Sequence, residues 1–340
     1  MNDARFLSID RVERVFGGGR TLFGTARPGV HAVQGVSLDV TRGETLGIVG
    51  ESGCGKSTLA RMIVGLDRPT GGRITLEGRD LAAEADRDPR ALARRVQYVF
   101  QDPVASLNPR KTIRAILEAP LIHLRGLNRS ARAARLAKLM EAVNLAPEFL
   151  ERYPHEFSGG QAQRIGIARA LAADPDLIVL DEPVSALDVS VQAQVLNILD
   201  GLRDRFGLTY VFISHDLAVI ESVSDRVAVM YFGHVVEVGR ASEIFARPRH
   251  PYTRLLLASV PAPGRAAAVA ETGETELPDP YHPPPGCPFH ARCPRASDIC
   301  RAGFPASAPA PGRPDHLTAC HHPEDGGMPA PAAAPEFQQG

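Results

Sequence analysis

Gly50-Glu51-Ser52-Gly53-Cys54-Gly55-Lys56-Ser57-Thr58 decides how the rest of this chain reads. The run fits G-x-x-x-x-G-K-S/T, lies after the apolar stretch Thr45 to Val49 and precedes a helical pattern that begins near Lys56. Strand, Gly-rich turn and helix start, in that order, make a phosphate-binding loop. The glycines let backbone N–H groups turn inward around phosphate oxygens, and the helix N-terminus adds a favourable dipole. Lys56 is expected to reach the β- and γ-phosphates and Ser57 to ligate Mg²⁺. The expected ATP contacts here are Gly50, Ser52, Gly53, Cys54, Gly55, Lys56, Ser57 and Thr58. Cys54 reads as a tolerated small residue with no needed side-chain role. A Gly-rich turn alone is usually only a turn; the Lys-Ser pair and the strand–helix context weigh against that here.

Working outward, two more compact apolar runs, Leu177 to Leu180 and Tyr210 to Ile213, read as strands buried on both faces. Each leads directly to polar residues, Asp181-Glu182 and His215. Ligands on open α/β sheets bind at the carboxyl ends of strands, so these residues and the phosphate loop should share one crevice. Asp181 suits the Mg²⁺ sphere, through water, and Glu182 is placed to polarise the water that attacks a γ-phosphate. An acidic strand end capping the next helix is the better reading in isolation, but not with a phosphate loop upstream. A lone histidine after a strand is more often structural; His215 gains weight from its place after Phe212-Ile213-Ser214. Ser158-Gly159-Gly160-Gln161 is a second anion-binding turn, offering a hydroxyl and unobstructed N–H groups at the start of a helix from Gln161 to Leu171. One subunit cannot easily close both turns on the same ATP, which points to two subunits sandwiching nucleotide.

The chain has 340 residues, enough for a sizeable core plus an appendage, and a formal net charge of −1. No strongly basic field argues for nucleic acid. No apolar run approaches a membrane span, and Met1 to Arg5 lack a signal-peptide core, so a cytoplasmic chain is expected, with any membrane role supplied by a partner. Alternating apolar runs and helical patterns predict an α/β fold: a P-loop NTPase (RecA-like) core with a largely parallel sheet. Val36 to Val40 and Arg73 to Leu76 predict an antiparallel β layer beside the loop. An inserted helical subdomain is expected at about 102–158, with helices over 113–124 and 130–143 and breaks at Pro120, Gly126 and Pro147. These patterns divide the chain into a nucleotide-binding domain over 1–260, a Pro/Ala/Gly-rich linker and small cysteine-rich extension over 261–325, and a disordered tail over 326–340.

Four of the five cysteines fall in the extension as Cys287-x5-Cys293-x6-Cys300-x19-Cys320. In a reducing cytosol such a cluster reads as metal ligands before disulfides. Four thiolates suit tetrahedral Zn²⁺ or an iron–sulfur cluster. The spacings are not the short pairs of zinc ribbons, while His290, His316, His321 and His322 keep a mixed zinc site open. Four reduced cysteines in a floppy tail are the bland alternative, made less attractive by the clustering.

In order and spacing these motifs resemble the nucleotide-binding subunit of ABC transporters over roughly residues 5–260. Gln101 sits at the family's Q-loop glutamine, Ser158 to Gln161 match the signature motif, Ser185-Ala186-Leu187-Asp188 match the D-loop, and His215 matches the switch histidine. The resemblance implies a head-to-tail dimer in which each ATP lies between one subunit's phosphate loop and the other's signature motif, with Asp188 at the same composite site. It implies that Gln101 senses the γ-phosphate and Mg²⁺ and that His215 contacts the γ-phosphate. It also implies an aromatic residue stacked on adenine ahead of the loop; Phe16 is the candidate, with Phe23 competing.

Gln101 to Arg110, Arg152 to Phe157, His250 to Arg254 and the cysteine-bearing tail are similar to ATPases that power oligopeptide and dipeptide importers. Such importers pair two sibling ATPases with two integral permeases and an external solute-binding protein, and this chain most resembles the second ATPase of the pair. The same resemblance implies a 4Fe-4S cluster on the four cysteines and a peripheral position on the cytoplasmic face of the inner membrane. Related machinery carries nickel or other small solutes. A soluble ABC ATPase acting on DNA or ribosomes is the rival of a different class, but the long coiled-coil insertions or duplicated ATPase domains typical of those proteins are missing. An ATP-binding module without turnover is disfavoured by the complete set Lys56, Gln101, Asp181, Glu182 and His215.

Overall fold

The computed structural model describes residues 5–20, 26–259 and 278–324. The expected linker through 277, the tail 326–340 and Phe23 lie outside the described residues. β1 (Leu7–Arg20) and β2 (Ala26–Val40) pair antiparallel, and β3 (Thr45–Val49) leads through the phosphate loop into α1 (Lys56–Ile63). β4 (Gly71–Leu76) and β5 (Arg79–Asp80) complete an antiparallel sheet of order β2-β1-β4-β5. Next come α2 (Leu81–Arg87), α3 (Pro89–Arg95) and β6 (Val96–Val99), then α4 (Ile113–His123), α5 (Arg129–Ala142) and α6 (Gly159–Leu171). β7 (Leu177–Asp181), α7 (Val189–Phe206), β8 (Thr209–Ile213), α8 (Leu217–Val223), β9 (Arg226–Tyr231), β10 (His234–Arg240), α9 (Ala241–Ala246) and α10 (Pro251–Ala258) follow. After residue 278 come α11 (Asp298–Ala302), β11 (Ala308–Ala310) and β12 (Arg313–Thr318).

The second sheet runs β11-β12-β10-β9-β3-β8-β7-β6, with the β9-β3-β8-β7-β6 block parallel. Every residue of β3, β7 and β8 is buried, which is why these runs are apolar without alternation. In β7, Ile178 and Leu180 pack with the helical side, among Leu117, Leu139 and Ile165. Leu177 and Val179 face the other core, with α1 and the antiparallel sheet, among Leu59, Ile63 and Leu76. The sheet is thereby clamped, and its strand ends are held in fixed relation.

One sequence expectation changes. Pro120 does not break its helix: α4 runs through it to His123. The missing N–H and ring clash of an interior proline disfavour a helix, but Ile113, Ile116, Leu117 and Leu121 bury one face of α4 and hold it in the core. The cysteine-rich extension packs onto the core. β12 pairs with β10 (Glu237↔Thr318, Val238↔Leu317), and Cys287, Phe289 and Cys300 belong to the same buried cluster as Ile178 and Leu180 of β7. His316 Nε2 meets Glu237 Oε1 at 2.7 Å with both side chains fully buried, while Glu237 also accepts from the N–H groups of Arg249 and His250 at 2.7 and 2.9 Å.

Candidate nucleotide site

The phosphate loop requires glycine where neighbouring backbone closes on it. A Cβ on Gly55, whose φ is 102°, would lie 2.2 Å from the Ala32 oxygen; one on Gly50 would lie 2.1 Å from the Met230 oxygen. Lys56 is buried inside the turn, its Nζ donating to the Gly50 and Glu51 carbonyls at 2.7 and 3.0 Å. Cys54 is buried behind the loop, where loss of water raises its thiol pKa despite nearby Lys56. Ser57 Oγ donates to Asp181 Oδ1 at 3.1 Å, so hydroxyl and carboxylate stand side by side as hard oxygen donors of the kind Mg²⁺ takes. Tyr98 O–H donates to the other carboxylate oxygen at 2.5 Å. Burial, and then the Asp181 charge, raise the Tyr98 pKa and keep the phenol a donor.

Glu182 follows β7 with φ 48°, a left-handed conformation uncommon for a residue with a side chain, and its N–H is held by the Ile213 carbonyl at 2.9 Å. Its carboxylate accepts from Gln101 Nε2 at 2.9 Å and lies 3.1 Å from His215 Nδ1. Gln101, Glu182 and His215 thus arrive from beyond the ends of β6, β7 and β8, the sequence-predicted crevice. With Ser52, Gly53, Gly55, Lys56, Ser57 and Thr58 they line one open pocket of about 480 Å³.

Sequence reasoning missed part of that wall. Phe232 and Gly233, with φ 46° and 81°, form the two-residue turn between β9 and β10 and line the pocket. Gly233 N–H donates to the Cys54 carbonyl at 2.9 Å, tying this turn to the phosphate loop. His31 lines the pocket too, and its N–H donates to the Pro280 carbonyl at 3.0 Å, so the C-terminal segment reaches the site. Phe16 is half-buried and does not line the pocket. It pairs across the sheet with Val30, which does, and the Arg14 guanidinium lies 4.4 Å from its ring centre.

The second anion-binding turn is elsewhere: none of Ser158, Gly159, Gly160, Gln161 or Asp188 lines this pocket. Ser158 caps α6 and exchanges hydrogen bonds with Gln161 in a capping box. Ser158 and Gly159 are exposed, while a Cβ on Gly160 would lie 2.3 Å from Val191 Cγ1. Asp188 caps α7, accepting from Val191 N–H at 2.9 Å. The signature turn and the D-loop therefore form one block around the close approach of α6 and α7.

Cys287, Cys293, Cys300 and Cys320 all line one small cavity, with His250, Phe289, His321 and His322. None is in a disulfide. Backbone N–H groups two residues on face three of the sulfurs: Phe289 for Cys287, Arg295 for Cys293 and His322 for Cys320, the last at 3.4 Å. Burial pushes the Cys287 and Cys320 thiols up to about 11. Among the described residues no group of three or more His, Cys, Asp or Glu is arranged to hold a single metal ion. No helix among them is long and apolar enough to cross a membrane.

The ABC transporter family matches residues 33–185, and the family described as the oligopeptide/dipeptide transporter C-terminal region matches residues 236–300. The oligopeptide transport ATP-binding protein AppF of Bacillus subtilis (strain 168) is 48% identical over 324 residues, covering 94% of this chain and 98% of that one. The probable peptide ABC transporter ATP-binding protein y4tS of Sinorhizobium fredii (strain NBRC 101917 / NGR234) is 51% identical over 314 residues, covering 92% and 86%. Among solved structures, the ATP-binding cassette MJ0796, described as a dimeric post-hydrolysis state bound to ADP and Pi, is similar with a TM-score of 0.61 at 29% identity, over 69% of this chain and 98% of that one. The phosphate loop, the strand-end carboxylates and these likenesses define an ABC ATPase on a P-loop NTPase core. Within that class, the chain belongs to the ATP-binding subunits of oligopeptide and dipeptide ABC transporters.

Proposed function

We propose that this chain is a motor subunit of a peptide importer, in which ATP-driven closure of two ATPase subunits is coupled to permeases. The observation that carries the reading is the division of the site. Glu182 is held between Gln101 and His215 beside Lys56 and Ser57, while the Ser158 turn stands exposed and outside that pocket. A second subunit, a sibling ATPase in preference to another copy, would bring its own signature turn and Asp188 to these phosphates. Lys56 and the loop N–H groups bind the phosphates, His215 meets the γ-phosphate, and Phe16 is the candidate for the adenine. Ser57 and Asp181, with Gln101, would hold Mg²⁺, which supplies neutralisation of phosphate charge. Glu182 takes a proton from the attacking water; loss of the bridging γ-phosphate then reopens the dimer.

Exposed Phe100 and Val104 flank Gln101, and exposed Tyr153 precedes the signature turn. This apolar surface suits docking of two permease subunits from the cytoplasmic face of the inner membrane, with a solute-binding protein acting outside. The peptide cargo is taken from the named activity of the relatives. Co-expressed with its permeases and sibling ATPase, the chain is expected to co-purify from detergent and to hydrolyse ATP faster with peptide-loaded binding protein. Turnover indifferent to permeases and peptide would refute import.

The four cysteines are read as holding a 4Fe-4S cluster. Their N–H-to-sulfur contacts and shared cavity fit a thiolate-bound group. A bound cluster would supply cross-links among four points of the extension. Iron and sulfide on anaerobically purified protein would support it; equimolar zinc without iron would replace it with a zinc site.

A further inference from the structure

The phosphate loop is gripped from behind by the C-terminal segment. Arg292 Nη1 and Nη2 donate to Glu51 Oε2 and Oε1 at 2.9 and 3.0 Å, a bidentate pair between partners 241 residues apart. Their side chains are 17% and 29% exposed, so salt and water screen the pair only in part. Glu51 N–H donates to Tyr252 Oη at 2.9 Å, and Tyr252 is buried against Tyr231 and Phe289. The Glu51 carbonyl in turn accepts from Lys56 Nζ. All three polar groups of one loop residue are thus engaged, two of them by residues outside the loop.

Neither partner lines the cysteine cavity, but both pack on Phe289, which does. Arg292 directly precedes Cys293. His250, two residues before Tyr252, lines the cavity; its Nδ1 accepts from Tyr252 N–H at 3.0 Å, and its buried Nε2 has no hydrogen-bond partner. With Nδ1 accepting, Nε2 carries the proton and can donate to sulfur. Glu51 also presents a chemical problem: a carboxylate in a loop that must accept phosphate repels its ligand. Arg292 offsets that charge and fixes where it sits.

We propose that Arg292 and Tyr252 are positioning residues for the phosphate loop, and that the four-cysteine site sets nucleotide affinity through them. The second part rests on the reading that the cysteines hold a metal–sulfur group; the first does not. Neither residue lines the nucleotide pocket, so their loss should weaken ATP binding and leave the chemical step intact. A loop that must be ordered on binding loses affinity without altering transition-state contacts.

The test uses the full-length chain with R292Q, R292K, Y252F, E51Q and E51Q/R292Q, titrated with a fluorescent ATP analogue. Steady-state kinetics, melting temperature and iron content are followed on the same preparations. R292Q is expected to weaken binding and raise KM about three- to tenfold, with kcat held within about twofold. R292K, which keeps the charge but loses the fork, should fall between wild type and R292Q and serves if R292Q folds poorly. Adding E51Q should return affinity to that of E51Q alone, because the charge to be restrained is gone. Wild-type affinity in R292Q, or a loss that E51Q does not relieve, overturns the positioning role. C300S should lower iron content and weaken binding in the wild-type background but not further in R292Q; unchanged affinity in iron-depleted C300S overturns the link to the cysteines. Wild-type protein without iron or zinc would sink the metal reading, while the Arg292 result would still stand or fall by its own measurement.

Discussion

His215 Nδ1 lies 3.1 Å from Glu182 Oε1, joining the residue beyond β8 to the carboxylate beyond β7 at the mouth of the phosphate pocket. Gln101 takes the other carboxylate oxygen at 2.9 Å. A carboxylate tethered on both oxygens cannot turn freely, and its left-handed backbone leaves few ways to relax. The proposed base is therefore held before substrate arrives, and an incoming γ-phosphate and water would compete for its tethers. Glu182→Gln keeps the size but exchanges one acceptor oxygen for an NH2 donor and cannot accept the proton. ATP binding should persist, while phosphate release in single-turnover assays falls about 10²- to 10⁴-fold and ATP-bound dimer accumulates on size exclusion. Near-normal release with the partner subunit also disabled would remove Glu182 from this role.

Tyr98→Phe tests the support behind the proposed Mg²⁺ ligands. Its hydroxyl holds Asp181 Oδ2 while Ser57 holds Oδ1. Deleting it should raise the Mg²⁺ concentration for half-maximal ATPase activity about tenfold, with smaller change at saturating Mg²⁺. An unchanged Mg²⁺ titration would show that Asp181 needs no such support.

Gly160→Ala separates binding from closure. The added methyl would meet Val191 Cγ1 at 2.3 Å, forcing the start of α6 away from α7 without touching the pocket. Nucleotide affinity of the isolated chain should stay at wild-type level, while ATP-dependent dimerisation and turnover fall about tenfold or more. A compensating Val191→Ala should restore both. Weakened binding by the isolated chain would contradict the assignment of the signature turn to the partner's nucleotide.

His316→Leu tests how the extension is joined to the core. It leaves Glu237, fully buried, with two backbone N–H partners and no side-chain partner. Taking a partner from a buried acceptor costs about 1–3 kcal/mol, which should appear as a lower urea midpoint with an unchanged m-value. A loss under about 1 kcal/mol would mean that the backbone contacts suffice.

His234 predicts acid sensitivity. Burial lowers its pKa to about 4, against a backbone contact with Gln34 that raises it, and its ring stacks on Phe304. Because the folded pKa lies below the unfolded one, this stabilisation is complete above about pH 6.5 and is lost as pH falls towards 4. His234→Gln should flatten the stability–pH curve in that window by at most about 3 kcal/mol. Identical slopes for the two proteins would place the acid sensitivity elsewhere.

The legible parts of this protein are those whose chemistry is contiguous. A phosphate loop is nine neighbouring residues between a strand and a helix, and glycine at positions 50 and 55 follows from close backbone approach. Carboxylates ending an apolar run declare themselves in the same way, because strand and site are continuous chain. Even the signature turn is a local object, a capped helix start. By itself the sequence therefore determined the P-loop core and the ATPase class, and it marked the residues expected at the nucleotide. Tertiary structure alone decided which of them meet. It placed Tyr98 on Asp181, His31 and Pro280 at the pocket wall, and Arg292 on Glu51, and it kept the Ser158 turn away from the pocket its own chain builds. Those contacts join residues far apart in the chain through β12, α10 and the helical insertion. An arginine before a cysteine carries no local mark of the loop it will hold, since its partner is selected by packing across the sheet.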